Sequence, residues 1–182
     1  MSTSFYSDEE LARLGFARIG NNCQISRKAS FYNMEAISIG DNVRIDDFCL
    51  LSGKVVLGSN IHISAYAALY GGEFGIRMED NTGVSARSTV YAAMDDFSGE
   101  YLVGPIHPRN LTNVTGGEVI IRQFAQIGAH CLVFPAVEIG EGTMVGACTM
   151  VRENLKPWSV YYGIPAVWQK GRSKRMADLV SQ

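Results

Sequence analysis

The chain has 182 residues, 47% of them apolar, and a formal net charge of −2. That length suits one domain with a full core. The near-neutral charge lacks the basic footprint of a nucleic-acid binder, and no apolar run approaches the roughly 18 residues needed to span a bilayer. The acidic start, with no apolar segment behind it, is not a signal-peptide pattern. The sequence therefore reads as a single cytoplasmic domain over residues 1–182, with its four cysteines kept as reduced structural thiols.

Ser7-Asp8-Glu9-Glu10 has the pattern of a capping box, with Ser7 as N-cap and Glu10 at N3. It predicts a short helix over 7–15, ended by Gly15. Leu11, Leu14 and Phe16 give that helix an apolar side suited to covering the open first coil of a repeat. From about 17 to 91 a beat follows: Ile19, Ile25, Phe31, Ile37, Val43 or Ile45, Leu51 and Leu57. Corners are expected at Gly-Asn-Asn (20–22), Gly-Asp-Asn (40–42), Gly-Ser-Asn (58–60) and Glu-Asp-Asn (79–81), because Gly and Asn tolerate left-handed backbone. The beat breaks briefly at Gly71-Gly72-Glu73-Phe74-Gly75 and then for about residues 92–117. A loop of that length inside a regular repeat is uncommon and usually functional.

The repeat resumes over 118–155. Ile121, Ile127, Val133, Ile139, Val145 and Val151 are spaced by six, and Ala125, Cys131, Val137 and Thr143 stand two residues before four of them. A period of six matches neither a helix nor an ordinary strand. It fits a chain that turns a corner every six residues and returns above itself after three corners, the hexapeptide β-helix pattern. Ile127-Gly128-Ala129 and Val145-Gly146-Ala147 are eighteen apart, so Ala129 and Ala147 should stack on consecutive coils about 4.8 Å apart. Over 156–182 the chain leaves the solenoid through Lys156-Pro157-Trp158, passes a basic segment at 170–175 and should end in a helix with Met176, Leu179 and Val180 apolar.

On these features residues 17–170 resemble the hexapeptide-repeat acyltransferases. The stretch from Glu118 to Trp168 is similar to the C-terminal half of the maltose and galactoside O-acetyltransferases, including their glycine-x-proline-alanine motif at 163–166. The resemblance implies an all-β fold: a left-handed parallel β-helix with a short N-terminal helix, a long active-site loop and a C-terminal helix. It also implies a homotrimer with active sites between neighbours. Acetyl-CoA or another acyl-CoA would be a co-substrate, with no permanently bound cofactor and no metal. In that family small residues let the pantetheine arm reach backbone groups, a role that falls to Ala129 and Ala147. Arg152, Pro165, Lys170, Arg172 and Lys174 lie where the family contacts the nucleotide, whose 3′-phosphate suits Arg or Lys.

One departure bears on the acceptor. The O-acetyltransferases carry tyrosine-x-alanine-x-histidine-proline, in which the histidine deprotonates a sugar hydroxyl. Here the matching stretch is Tyr91-Ala92-Ala93-Met94-Asp95-Asp96, with Asp95 in the histidine's place. A hydroxyl needs a base before it can attack a thioester, whereas an amine needs a group that holds and orients it. The change points to an amine. The segments RIDDFCLLSG and DDFSGEYL likewise resemble N-acyltransferases of nucleotide-linked amino-dideoxy sugars, enzymes of surface polysaccharide (lipopolysaccharide, O-antigen) synthesis. This reading makes Asp95 the amine anchor and His62 a groove residue assisting proton transfer. Ser85, Asp96 and Glu100 become sugar contacts. The alternative is an O-acetyltransferase with His62 or His107 as base. A zinc-binding trimer like the γ-carbonic anhydrases would need clustered histidines, and His62, His107 and His130 show no repeat-related spacing.

Overall fold

The computed structural model describes residues 4–180. Short parallel strands stack on three faces to form a left-handed parallel β-helix. The first face carries 18–19, 37–39, 55–57, 76–78, 119–121 and 138–139. The second carries 24–25, 43–45, 61–63, 83–84, 126–127, 144–145 and 160–161. The third carries 30–32, 50–52, 68–70, 89–91, 132–133 and 150–151. Along the second face, partners step by 20, 18, 21, 43, 18 and 16 residues. An undisturbed coil thus takes about eighteen. The step of 21 absorbs the 71–75 excursion, and the step of 43 holds the long loop.

The six-residue beat marks the interior. Ile121, Ile127, Val133, Ile139, Val145 and Val151 are all buried, and so are Ala125, Cys131, Val137 and Thr143 two residues before. Residues two apart on a strand share a face, so each short strand sends two side chains inward. Full burial of an Ile or Val contributes roughly 1.5–3 kcal/mol, and the repeat supplies such pairs coil after coil. Ile19 and Phe31 in the first coil are only partly buried, because nothing stacks beneath them except the N-terminal segment.

The expected corners form, for two different reasons. Asn22, Asn42, Asn60 and Asn81 all have positive φ. Asn22 Nδ2 donates to Asn42 Oδ1 at 3.1 Å, and Asn42 Nδ2 to Asn60 Oδ1 at 2.8 Å. The glycines before them serve close approach instead. A Cβ on Gly20 would lie 2.4 Å from the Gly40 carbonyl carbon, and one on Gly40 would lie 2.4 Å from the Gly58 carbonyl oxygen. The next corner holds Phe48, Tyr66, Arg87, His130 and Cys148 at positive φ. The Phe48 and Tyr66 rings stack there at 4.9 Å, and the Arg87 guanidinium sits 4.8 Å from the Tyr66 ring.

Three boundaries differ from the sequence reading. The N-terminal helix is a single turn, Asp8–Leu11, with the capping box formed. The interruption begins and ends as a hairpin, since Ala93–Asp95 pairs antiparallel with Val114–Gly116. Residues 156–174 are not simply an exit: Ser159–Tyr162 adds a further rung, and Val167–Gly171 pairs antiparallel with it. The C-terminal helix spans Arg175–Val180. No helix among the described residues is long and apolar enough to cross a membrane. Cys23, Cys49 and Cys131 are buried free thiols and Cys148 is exposed. Burial pushes the Cys49 thiol up to about 11.

Candidate functional site

Two concavities carry His62, Ser85 and Asp95. The first, of about 530 Å³, runs along the second face and is lined by Arg44, His62, Ser85, Gln126 and the Asn42–Asn60–Asn81 corner, among others. Arg44 and His62 are register partners on adjacent coils, and Asp46 lies between their side chains. Arg44 Nε donates to Asp46 Oδ1 at 2.7 Å, and His62 Nε2 is 2.8 Å from Asp46 Oδ2. Burial raises the Asp46 carboxyl, but Arg44 and His62 together hold it below the usual carboxylate range. His62 is therefore engaged by a carboxylate, an arrangement that orients an imidazole. Asp47 is tied to its neighbouring coil through Ser26 and Lys28.

The second cavity, of about 740 Å³, opens between the third face and the long loop. Tyr70, Glu73, Phe74, Asp95, His107 and Arg109 are among its lining residues. Strand pairing sets the backbone of Asp95 opposite Val114. Its carboxylate has one weak contact, at 3.4 Å from the Gly104 amide, and no cation pairs with it among the described residues. Tyr70 and Tyr91, register partners on the third face, stack at 5.2 Å beside this cavity. Desolvation raises the Tyr91 hydroxyl, and the neighbouring Tyr70 adds to the effect.

The sequence candidates are distributed unevenly between these sites. Asp95 and His62 line different concavities of one chain. Asp96 builds the loop: Oδ1 accepts from the Ser98 amide at 2.7 Å and Oδ2 from Asn113 Nδ2 at 2.9 Å. Glu100 is exposed on that loop and lines neither concavity. Ser85 does not line the cavity of Asp95. Its amide donates to the Ile127 carbonyl, and the Gly128 and Gly146 amides repeat that bond on the next two coils. It stands in a column that begins with Ser26, Asp46 and Ser64 and continues through Gly128 and Gly146, the residues just before Ala129 and Ala147. That column is kept thin, since a Cβ on Gly128 would lie 2.7 Å from the Ala147 amide.

The basic residues do not converge. Arg152 follows the third face and lies over the Phe134 ring at 5.6 Å. Arg172 lies at a different corner, where its Nη1 donates to the Phe124 carbonyl at 3.2 Å and to the Gly142 carbonyl at 2.9 Å. Burial lowers its pKa. Lys174 lies over Trp158 at the same corner, at 5.6 Å. Lys170 is exposed on the last strand, and Pro165 follows a cis peptide bond. Sequence reading missed Tyr70, Phe74 and Arg109 as lining residues. For Arg109 there was a signal, as it is the one Arg or Lys between Ala92 and Gly117.

No family model matches the chain. It is 38% identical over 180 residues to the dTDP-4-amino-4,6-dideoxy-D-glucose acyltransferase of Escherichia coli, covering 97% of this chain and 93% of that one. The fold matches AntD, an N-acyltransferase from Bacillus cereus, at a TM-score of 0.96 and 52% identity over 100% of this chain and 97% of that chain. That structure contains dTDP-4-amino-4,6-dideoxyglucose and coenzyme A. A second AntD structure, holding dTDP and 3-hydroxybutyryl-CoA, matches at 0.96 and 53%, covering 99% and 96%. A hexapeptide-repeat acetyltransferase from Vibrio cholerae shares the fold alone, at a TM-score of 0.56 and 16% identity, covering 91% and 80%.

Proposed function

The chain belongs to the hexapeptide-repeat acyltransferases, in the branch that acylates nucleotide-linked amino sugars, and from that membership we propose how its residues carry out the transfer. It is an N-acyltransferase that uses acyl-CoA as co-substrate. Its acceptor is a dTDP-linked 4-amino-4,6-dideoxyglucose or a close relative, made for a surface polysaccharide in the cytoplasm.

The observation that carries the reading is Asp95: a carboxylate without a cation partner among the described residues, lining a cavity, at the sequence position where hydroxyl-acylating relatives have a histidine. A carboxylate attracts an ammonium, takes one proton from it and releases that proton to solvent, and then accepts a hydrogen bond from the neutral amine. The amine nitrogen attacks the thioester carbonyl carbon, the C–N bond forms, the C–S bond breaks, and the nitrogen's proton passes to the departing thiolate. Support also comes from the relatives. AntD has been studied as variants of one serine and of one aspartate ten positions apart, the spacing between Ser85 and Asp95 here. Ala129 and Ala147 border the thin column in which a pantetheine arm would lie.

We read the working unit as a homotrimer, because Ser85 and Asp95 belong to different regions of one chain and a neighbouring copy would let both reach one acceptor. Hydroxyl acylation by His107 is the second reading, favoured by that residue's place in the cavity of Asp95. Thiol release from acetyl-CoA and 3-hydroxybutyryl-CoA, measured with dTDP-linked amino sugars against galactosides and maltose, tests the proposal. Turnover is expected with the amino sugars alone, and release only with the hydroxyl sugars would overturn it.

A further inference from the structure

We infer that Arg109 is the anchor for the diphosphate of the acceptor, with His107 as a second donor. The inference rests on the acceptor class proposed above and adds the side chains that recognise its negative charge. Both residues line the cavity that holds Asp95. Neither side chain has a hydrogen-bond or ion-pair partner among the described residues. Four other arginines are paired with carboxylates: Arg27 holds Glu10, Arg44 holds Asp46, Arg77 holds Glu118, and Arg122 holds both Glu79 and Glu138. Arg109 leaves its charge unspent although Glu73 and Asp95 line the same cavity.

The carboxylates come from the coil side. Asp95 lies on the strand Ala93–Asp95, and Glu73 lies on the excursion whose Gly72 abuts Ala93. The cations come from the loop, where Pro108 leads into a single 3-10 turn, Arg109–Leu111, closed by the Thr112 amide and hydroxyl on the Arg109 carbonyl. A nucleotide-linked amino sugar has the complementary pattern, an ammonium on the ring and a diphosphate beyond the anomeric carbon. The planar guanidinium matches phosphate oxygens in pairs. Asp95 and Arg109 would thus hold the acceptor by its two ends and fix which ring position meets the thioester.

Calorimetric titration of the full chain with dTDP tests the inference without relying on turnover. Arg109→Ala should weaken dTDP binding by about tenfold, the loss of one charge-assisted contact. It should leave acyl-CoA affinity and the melting temperature unchanged, and Arg109→Lys should recover part of the loss. Equal dTDP affinity in wild type and Arg109→Ala would overturn the inference, as would a wild-type chain that does not bind dTDP or a loss shared with acyl-CoA. A chain that binds dTDP through Arg109 yet acylates no amino sugar would sink only the proposed reaction.

Discussion

The coils and the loop between 96 and 113 satisfy their polar groups in different ways. In the coils, amides and carbonyls repeat the same bonds from rung to rung, and the interior is Ile, Val and Leu at close to zero exposure. In the loop, Phe97 and Ile106 are 71% and 86% exposed. Order there depends on a few contacts around Asp96, together with the Leu102 amide on the Leu111 carbonyl. Segments with few buried apolar contacts open at low free energy. The scaffold is therefore the stable part, and the cavity of Asp95 has one stable wall and one that can yield to a ligand.

That contrast can be broken from either side. Ile127→Ala, inside the coils, should have the largest effect: a loss of about 2–5 kcal/mol, or on the order of 5–15 °C in melting temperature, read by calorimetry. Asp95→Ala should leave melting unchanged and lower amine turnover by at least about a hundredfold; near-normal turnover would remove Asp95 from the mechanism. Asp96→Ala should raise KM for the acceptor several-fold, with kcat and melting nearly intact, because it loosens the loop without touching the amine. If KM does not move, the loop is not ordered by that residue.

The smallest effect belongs to the N-terminal cap. Glu10 accepts from Arg27 and from the Ser7 amide, contacts that lower its carboxyl to about 2 from an ordinary 4.5. Its folded value lies below its unfolded one. Its contribution is therefore fully present above about pH 4.5 and is lost as pH falls toward 2. Amide exchange over Asp8–Leu11 should accelerate in that window, and Glu10→Gln should abolish the dependence.

Much of the scaffold was legible because a solenoid repeats its instructions. An inward pair every six residues, echoed on each coil, separates the interior from the surface without any long-range inference. The second corner was not legible. Phe48, Tyr66, Arg87 and His130 occupy left-handed backbone, which sequence reasoning assigns to Gly and Asn; here stacking along the column and amide bonds to the coil before hold them. At the site, Asp95 stood out as a change in a motif, while Tyr70 carried no signal and Arg109 only that of a lone cation in the long loop. Their importance arises only when the excursion at 71–75 and the long loop fold against the same face. The partners of Arg172 were not legible for a related reason: a cation in a basic segment reads as exposed until the corner carbonyls that it serves are known.

The strand Val167–Gly171 runs against the direction of the rung it covers. A solenoid that ended on a parallel rung would present a row of unpaired amides and carbonyls at the same spacing as its own first coil, an open template for the next molecule. Reversing the final strand changes that spacing, and exposed Lys170 adds a charge to the edge. Head-to-tail growth into fibres is thereby disfavoured, and a fold whose repeat could extend without limit is kept to a particle of fixed size.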